Sequence, residues 1–354
     1  MSETGNSAGR DGAKRIVYFE KFADPVTGTI LARDPSINVQ RLELSNSDAE
    51  NWQAFSGAHG YQIRAARDEL PVHFFANSEF LARCPNMLVV SSMGAGFDTV
   101  DLDACSAAGV IVVNQAGGNA EAVAEHALGL MLALSKRVGE TDQFMRAQDG
   151  IARNTYMGRN IQGKTLGIIG LGHIGRRMAE LCGSLFGMRV LAYDPYLEDS
   201  DFVERGAISA SFEDVLANAD FVTVHCPRTA ETINLLDARA FGLMKPGAIF
   251  VNTARGGIHD EAALFAALQS GHLSAAGLDV WAVEPPPRDH PLLSLSNVLA
   301  SPHTAGVTHE SRHQVASYAG EQLLDIFAGR RPPRLLNPEI WPVFQERYRA
   351  LFGD

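Results

Sequence analysis

Short apolar runs alternate along the chain with segments whose apolar residues recur at helical spacing. The first such runs are residues 15–19 (RIVYF), 87–91 (MLVVS) and 110–113 (VIVV). Continuous apolar runs of this length are typical of strands that are buried on both faces. Because strands that alternate with helices form parallel sheets, the pattern predicts a first α/β domain that ends near Gly117.

A second series of strands and helices follows. Its strand candidates are residues 165–169, 189–193, 221–224, 248–251, 276–280 and 298–300. Helical segments such as residues 261–269 separate these strands. The series predicts a second α/β domain that runs to roughly Pro302.

The domain organisation follows from this order of elements. A chain of 354 residues is long for one core and favours two domains. The helical pattern over residues 311–327 is expected to return to the first domain. We therefore predict a discontinuous domain of residues 1–118 and 304–354, and a continuous domain of residues 119–303.

One long helix is predicted between the two series, from residue 120 to about residue 145. Its apolar positions lie on nearly all sides, which is typical of a helix buried between two neighbours. Its neighbours are either the two domains or a second subunit, and on the second interpretation we expect a symmetric homodimer. Glu125 and His126 lie on this helix, and His126 is interpreted as a structural residue, because buried polar groups usually serve packing geometry.

Composition and charge narrow the classes of function. The chain has 46% hydrophobic and 20% charged residues, and its formal net charge is −11. This acidic balance argues against nucleic acid or an anionic membrane as a partner, because phosphate binding needs a basic surface. No apolar stretch reaches the roughly 18 residues that a membrane span needs.

The cysteines and the N-terminus bear on the cellular compartment. The four cysteines have no ligand spacing and predict reduced thiols, with neither a zinc site nor disulfides: Cys84, Cys105, Cys182 and Cys226. Residues 1–14 are polar, rich in Gly and Ser, and lack the apolar core of a signal peptide. We expect a disordered lead-in and a cytoplasmic protein.

A glycine motif marks a dinucleotide site. The sequence GLGHIG has the G-x-G-x-x-G pattern, follows the strand at 165–169 and opens a helical pattern. Asp194 lies 19 residues after Gly175, at the end of the next strand. Strand, turn, helix, strand and acid together are the fingerprint of dinucleotide binding. The predicted cofactor residues of this turn are Gly170, Gly172, His173, Ile174 and Gly175.

Asp194 also bears on the choice of cofactor. Its carboxylate can accept hydrogen bonds from the ribose hydroxyls of NAD. A 2′-phosphate at this place would face a negative charge, and no Arg or Lys follows in Tyr193-Asp194-Pro195-Tyr196. NAD is therefore favoured over NADP.

Three ionisable residues stand just past strand ends of the second series. Arg255 follows the strand at 248–251, Glu284 follows the strand at 276–280, and His303 follows the strand at 298–300. Ligands of open α/β sheets bind at this edge. The three side chains are therefore candidates for the chemistry.

With these residues in place, the chain resembles the D-isomer-specific 2-hydroxyacid dehydrogenases. The resemblance covers residues from about 87 to 306 and rests on GAGFDTVD, NAEAVAEH, GLGHIG, HCPRTAET, MKPGAIFVNTARGG, GLDVWAVEP and SPHTAG. It implies a flavodoxin-like substrate domain and a Rossmann NAD-binding domain, with the chemistry in a cleft between them. The implied reaction moves a hydride between nicotinamide and C2 of a small 2-hydroxy or 2-keto acid.

The resemblance also implies roles for individual residues. Arg255 would bind the substrate carboxylate and carbonyl oxygen, His303 would be the general acid–base, and Glu284 would orient His303 and raise its pKa. Further cofactor contacts are implied for His225, Pro227, Thr232, Thr253, Ala254, Asp279 and Gly306. The backbone N–H groups of a first-domain loop would hold the substrate carboxylate: Met93, Gly94, Ala95 and Gly96.

Some positions depart from the family pattern. Ser92 stands where many members have Arg, which argues against phosphorylated or dicarboxylate substrates. Trp281 is bulky and is expected to narrow the site. The chain stops at Asp354, and we expect no added regulatory domain of the kind that longer members carry.

The substrate and one alternative function stay open at this point. Glyoxylate, hydroxypyruvate, 3-phosphoglycerate and branched or aromatic keto acids are all possible substrates. The alternative function is a dimeric NAD(H)-sensing binding protein of the same fold, as in the C-terminal-binding corepressors. A formate dehydrogenase is disfavoured, since that family has Gln where Glu284 stands.

Overall fold

The computed structural model describes residues 13–150 and 152–353, and the chain divides into two compact units. One unit combines the chain up to Asn119 with the chain from His309 onward, and the other is Ala120–Thr308. Residues 1–12 of the predicted lead-in lie outside the described residues. Lys14, by contrast, already belongs to a strand.

Five parallel strands form the sheet of the first unit. They are β1 (Lys14–Phe19), β2 (Ile37–Leu42), β3 (Gly60–Ile63), β4 (Val89–Ser92) and β5 (Ile111–Val113). Their order is β2-β1-β3-β4-β5, with every neighbouring pair parallel. This is the flavodoxin-like order, so the predicted fold class is confirmed for this unit.

In the described part of this unit, six α-helices accompany the sheet. They are α1 (Val26–Leu31), α2 (Asp48–Ser56), α3 (Ser78–Ala82), α4 (Leu102–Ala107), α12 (His309–Phe327) and α13 (Trp341–Phe352). Short 3-10 turns cover Arg67–Glu69, Val72–Phe74 and Pro338–Ile340. Ser47 caps α2 with a capping box to Glu50, and Asp101 caps α4 by accepting from Ala104 N, so local sequence sets these helix starts.

The side chains of the first sheet enter two apolar clusters. Val17 and Phe19 of β1 contribute to one cluster, and Ile16 contributes to the other. The first cluster is rich in aromatic rings, among them Phe55 and Phe74, which lie 5.8 Å apart. Alternation along a strand thus fills both faces of the sheet.

Seven parallel strands form the sheet of the second unit. They are β6 (Thr165–Ile169), β7 (Arg189–Tyr193), β8 (Ile208–Ser209), β9 (Phe221–Val224), β10 (Ile249–Asn252), β11 (Ala275–Leu278) and β12 (Val298–Ala300). Their order is β12-β11-β10-β9-β6-β7-β8. Counted from β6, this is the Rossmann order with one strand added, and the predicted fold class is confirmed here too.

The helices of the second unit are α5 (Ala120–Ser135), α6 (Val138–Ala147), α7 (His173–Phe186), α8 (Asp199–Glu204), α9 (Phe212–Asn218), α10 (Ala238–Leu243) and α11 (Glu261–Gln269). Arg153–Tyr156 and Pro291–Ser294 are 3-10 turns. Val190 and Ala192 of β7 face one apolar cluster and Leu191 faces the other. The second sheet is therefore also packed on both faces.

The single long helix predicted from residue 120 to about 145 is wrong: the structure has α5 and α6 with a break between them. Arg137 lies at the break with φ +56° and ψ 32°, in the left-handed region. Its guanidinium contacts the Glu140 carboxylate and donates to the Thr155 carbonyl at 3.0 Å. These bonds stabilise a backbone conformation that an uninterrupted helix cannot contain.

Within the described ranges, no helix is long and apolar enough to cross a membrane.

Candidate active site

The carboxyl edge of the second sheet carries most of the residues predicted for the cofactor and the reaction. Five strands are each followed within three residues by a predicted site residue: β6 by Gly170, β9 by His225, β10 by Thr253, β11 by Asp279 and β12 by His303. The strand order reverses between β6 and β9. Open α/β sheets bind ligands at such a switch point.

The glycine turn after β6 is too tight for side chains at two of its glycines. Gly170 has φ +91°, and a Cβ there would lie 2.6 Å from Cys226 N. A Cβ on Gly175 would lie 2.2 Å from the Gly170 carbonyl oxygen. Gly172 is the N-cap of α7 and faces open space, so its backbone is accessible to a ligand. His173 and Ile174 are the first two residues of α7.

Asp194 follows β7 and is fixed against the glycine turn. Its Oδ2 accepts from Leu171 N at 2.9 Å, and its Oδ1 accepts from Tyr196 N at 3.2 Å. Arg205 donates from Nη1 to the Leu171 carbonyl at 2.8 Å. Both backbone groups of Leu171, the residue between the first two glycines, are therefore bonded, which makes the turn rigid.

Two buried polar atoms near this edge have no hydrogen-bond partner among the described residues: Nδ1 of His225 and Oγ1 of Thr253. Burial lowers the pKa of His225 to about 3, so its ring is neutral. Its Nε2 lies 2.9 Å from Thr223 Oγ1. Buried polar atoms without partners are rare in proteins, and a bound molecule with polar groups would satisfy them. The glycine turn and these two atoms fit a dinucleotide.

The loop after β9 is held by Thr232. Its hydroxyl donates to the Pro227 carbonyl at 2.7 Å and accepts from Thr229 N at 2.7 Å. The Tyr196 hydroxyl donates to Glu231 in the same loop at 2.8 Å. The loops that follow β7 and β9 are thus joined beside the glycine turn.

Arg255 lies in a turn directly after β10. Asn252 accepts from Ala254 N at 2.9 Å and donates to the Arg255 carbonyl at 3.1 Å, which fixes the turn. The Arg255 guanidinium donates from Nη1 to the Ala254 carbonyl at 2.6 Å. Its charge acts on the pKa of both Glu284 and His303, so the three predicted side chains are electrostatically coupled.

Glu284 and His303 form an ion pair at the edge of the sheet. The His303 Nδ1 lies 2.7 Å from Glu284 Oε2, and the side chains are 32% and 20% exposed. Burial alone would lower the pKa of His303, but the Glu284 hydrogen bond and charge outweigh it, so that pKa is raised. Burial alone would raise the pKa of Glu284, and the His303 and Trp281 bonds and the Arg255 charge outweigh it, so that pKa is lowered.

The loop that carries His303 is organised by Asp279, which is fully buried. The Asp279 carboxylate accepts from Ser301 Oγ at 2.6 Å, from Thr304 N at 2.8 Å and from Ala305 N at 2.8 Å. The Asp279 carbonyl accepts from His303 N at 2.7 Å. Gly306 follows Ala305 in the same loop. His303 itself has φ +55°, a left-handed conformation that these bonds stabilise.

The predicted substrate loop belongs to the first unit, directly after β4. Gln115 donates from its backbone N to the Gly94 carbonyl at 2.9 Å, and Asn114 Nδ2 donates to the Ala95 carbonyl at 2.7 Å. Ser92 Oγ donates to the Gly96 carbonyl. Met93 N donates to the Ile63 carbonyl at 2.8 Å. The loop is thus held through the carbonyl groups of Gly94, Ala95 and Gly96 and through the backbone N–H of Met93.

Sequence reasoning missed several residues that support the site. Trp281, which was expected to narrow the site, is buried: it is 2% exposed and donates its indole N–H to the Ser301 carbonyl at 3.0 Å. His126 Nε2 lies 3.0 Å from Ser301 Oγ. Asn114 and Gln115 carry the substrate loop. Trp281 and His126 lie in quoted family motifs, and His126 was interpreted as structural, but their contacts are to residues distant in sequence; Asn114 and Gln115 lie in none of the quoted motifs.

All four cysteines are free thiols. In the described part of the chain, no group of three or more His, Cys, Asp or Glu side chains is placed to hold a metal ion.

A Rossmann sheet with this glycine turn defines a dinucleotide-binding protein. A model of the family described as "D-isomer specific 2-hydroxyacid dehydrogenase, NAD binding domain" matches residues 128–305. The chain belongs to this family, and its cofactor is NAD. The resemblance predicted from the sequence motifs is confirmed.

Known relatives carry names from this family. The chain is 43% identical over 270 residues to a D-3-phosphoglycerate dehydrogenase of Mycobacterium leprae, which covers 76% of this chain and 51% of the relative. It is 39% identical over 273 residues to a glyoxylate reductase of Aeropyrum pernix, with 75% and 81% covered. The chain therefore spans about half the length of the phosphoglycerate dehydrogenases that it matches.

A solved structure is also similar. The D-lactate dehydrogenase of Aquifex aeolicus, complexed with NAD and lactic acid, superposes with a TM-score of 0.73 at 27% identity. The match covers 89% of this chain and 96% of that one. The fold described above is therefore that of known 2-hydroxyacid dehydrogenases.

Proposed function

We propose that this protein is an NAD-dependent oxidoreductase that transfers a hydride between nicotinamide and C2 of a small D-2-hydroxy acid or 2-keto acid. The observation that carries the proposal is the 2.7 Å contact between His303 Nδ1 and Glu284 Oε2, in the unit that also holds the glycine turn. Reduction of a keto group needs a proton donor beside the dinucleotide. A His–Glu pair with a raised histidine pKa is suited to that task.

The three charged residues have distinct proposed roles. When bound, NAD(H) supplies or accepts the hydride. His303 protonates the keto oxygen from Nε2 during reduction and takes the proton back during oxidation. Glu284 holds the ring through Nδ1 and stabilises the imidazolium. Arg255 binds the carboxylate and carbonyl oxygen of the substrate with its fork of N–H donors.

The cofactor contacts are proposed along the carboxyl edge of the second sheet. The glycine turn and the first N–H groups of α7 would hold the pyrophosphate. Asp194 would accept the ribose hydroxyls and disfavour the 2′-phosphate of NADP. Further contacts are proposed for His225, Pro227, Thr232, Thr253, Ala254, Asp279 and Gly306. The buried atoms of His225 and Thr253 that lack partners support this assignment.

Besides Arg255 of the second unit, a loop of the first unit is proposed to bind the substrate, and the cofactor is proposed to bind the second unit. Of the predicted loop residues, Met93 already donates its backbone N–H to the Ile63 carbonyl, so the N–H groups that would hold the substrate carboxylate are those of Gly94, Ala95 and Gly96. The bonds to the loop carbonyls support this orientation. The relatives' names, D-3-phosphoglycerate dehydrogenase and glyoxylate reductase, suggest acids of two to three carbons as first candidates.

We also propose a homodimer that forms through the α5–α6 region. Val138, Met145 and Met157 are 53%, 72% and 74% exposed, which is unusual for large apolar side chains so close together in sequence. A dimeric mass in analytical ultracentrifugation would support the proposal, and a monomeric mass would contradict it.

We propose a cytoplasmic location as well, which the free thiols support.

The test of the function is NADH consumption with a panel of 2-keto acids, with NADPH run in parallel. We expect turnover of at least one small acid with a preference for NADH. The His303→Ala variant should lose about 100- to 10,000-fold in turnover, which is the usual contribution of general acid–base catalysis. NADH binding without turnover of any acid would favour an NAD(H)-sensing binding protein instead.

A further inference from the structure

One residue, Trp281, contacts the segments that carry all three charged residues. Trp281 N donates to Glu284 Oε1 at 3.0 Å, and the Trp281 indole donates to the Ser301 carbonyl, two residues before His303. On its other side, a Cβ built on Gly256 would lie 1.8 Å from the Trp281 carbonyl oxygen. Gly256 is the neighbour of Arg255, so Trp281 contacts all three segments through its backbone N, its indole and its carbonyl group.

Glu261, which is not one of the three charged residues, binds the peptide bond between Trp281 and Ala282. Its Oε1 accepts from Ala282 N at 2.8 Å. Its Oε2 lies 3.2 Å from His290 Nε2, and the two side chains are 19% and 15% exposed. The His290 ring packs edge-on against the Trp281 ring, with centroids 5.4 Å apart. Glu261 is thus oriented by His290 and binds the segment directly before Glu284.

The position of Glu261 on α11 does not explain these contacts. Glu261 is the first residue of α11, but the helix is capped by Asp260, whose side chain accepts from Ala263 N at 3.0 Å. A glutamate at this position stabilises a helix through its charge alone and needs no fixed partner. Both carboxylate oxygens of Glu261 are instead bonded to groups outside the helix.

We propose that Glu261 is a positioning residue for the reaction, which acts through Ala282 N–H to hold Glu284 against His303. This inference rests on the proposed function. Without the Glu261 carboxylate, Ala282 N–H loses its acceptor, and the segment that carries Glu284 is free to move. A shift of about 1 Å at a catalytic group lowers the rate on the order of 100-fold.

The pKa of His303 reports such a movement directly. Glu284, Arg255 and Asp279 are the charges that act on this pKa, and Glu284 is the group whose hydrogen bond raises it. If Glu284 moves away, the His303 pKa falls toward the value that burial and Arg255 favour. A lower pKa therefore indicates displacement of Glu284, whereas loss of helix stability alone leaves the pKa unchanged.

The experiment uses the histidine-labelled chain of 354 residues without added cofactor and follows the ring signals by NMR through a pH titration. The chain has 11 histidines, and a His303→Asn variant assigns the signal of interest. The test variants are Glu261→Ala, which removes the acceptor, and Glu261→Gln, which keeps an oxygen for Ala282 N–H. The matched control is Asp237→Ala, because Asp237 accepts from Ala240 N in the same unit and caps α10.

We expect the His303 pKa to fall in Glu261→Ala and to stay close to that of the wild type in Glu261→Gln and Asp237→Ala. With an active keto acid, kcat/KM should fall about 10- to 100-fold in Glu261→Ala and recover in Glu261→Gln. An unchanged His303 pKa in Glu261→Ala overturns the inference, even if the variant is less stable. A wild type that turns over no keto acid contradicts the proposed function, while the titration still decides the role of Glu261.

Discussion

Substitution of Gly256 by Ala is the sharpest test of the site geometry. A Cβ at this position would lie 1.8 Å from the carbonyl oxygen of Trp281, 2.1 Å from its carbonyl carbon and 2.8 Å from Ala282 N. All three are backbone atoms, so no side-chain rotation can relieve the overlap. The turn that carries Arg255 and the segment that precedes Glu284 must therefore separate.

The size of the effect follows from the overlap. Unbonded carbon and oxygen atoms need more than 3 Å, so the two segments must move apart by about 1 Å or more, shared between them. Overpacking of this kind destabilises a protein by about 1–3 kcal/mol. A displacement of about 1 Å between Arg255 and Glu284 should lower kcat/KM on the order of 100-fold.

The assay combines chemical denaturation with steady-state kinetics on the keto acid that the panel identifies. Gly242→Ala is the matched control, because Gly242 lies in α10 of the same unit and a Cβ there meets nothing within 4 Å. The control should be as stable as the wild type or more so, since Ala favours helix over Gly. If Gly256→Ala kept the stability and the kcat/KM of the wild type, the close approach of the two segments would be refuted.

Three further predictions concern the pH profile, the cofactor and the substrate loop. Because Glu284 raises the pKa of His303, protonated His303 persists to higher pH. In a profile of kcat/KM for keto-acid reduction against pH, Glu284→Gln should therefore move the alkaline limb to lower pH. An unmoved limb would contradict the pairing. Asp194→Ala should weaken NADH binding more than NADPH binding, measured by fluorescence titration, because the ribose acceptor is lost; an unchanged preference would reject Asp194 as the selector. Asn114→Ala should raise KM for the keto acid and leave the Kd of NADH unchanged, since the Asn114 side chain bonds only to groups of the first unit, the Ala95 carbonyl of the loop and Ala116 N.

Local patterns predicted the elements that consist of continuous apolar runs. The strands at 165–169, 189–193, 221–224 and 298–300 have the predicted bounds, and so does the helix Glu261–Gln269. The strands at 165–169 and 221–224 are buried along almost their whole length, so hydrophobicity alone identifies them. The glycine turn was equally clear, because its spacing is set by the steric limits at Gly170 and Gly175.

Elements with mixed composition were missed. The β2 strand has the sequence INVQRL and lies at the edge of its sheet, where several of its side chains are exposed. The β3 strand has only four residues, GYQI, yet every one of them is buried, including Gln62. Short strands of this kind gain their stability from pairing with neighbours, which no local window of sequence contains.

The residues that hold the catalytic side chains in place could not be predicted from the sequence, for a related reason. Trp281 contacts Ser301 and Gly256, and Glu261 contacts Ala282 and His290, all at separations of about 20 residues or more. Motifs identified the groups with obvious chemistry, such as His303. The residues that hold those groups in place are recognised only by contact, since an ordinary Glu or Trp carries no signature of its own.

Because the backbone of His303 is left-handed, only some substitutions remove the imidazole ring and leave the backbone conformation unchanged. Alanine at φ +55° is disfavoured by roughly 1–2 kcal/mol, whereas asparagine tolerates this conformation. An alanine variant therefore tends to relax the loop that Asp279 organises, so a loss of activity mixes a missing ring with a moved backbone. Asparagine deletes the titrating group and keeps the loop, which makes it the better choice for an inactive protein intended to trap substrate and cofactor together.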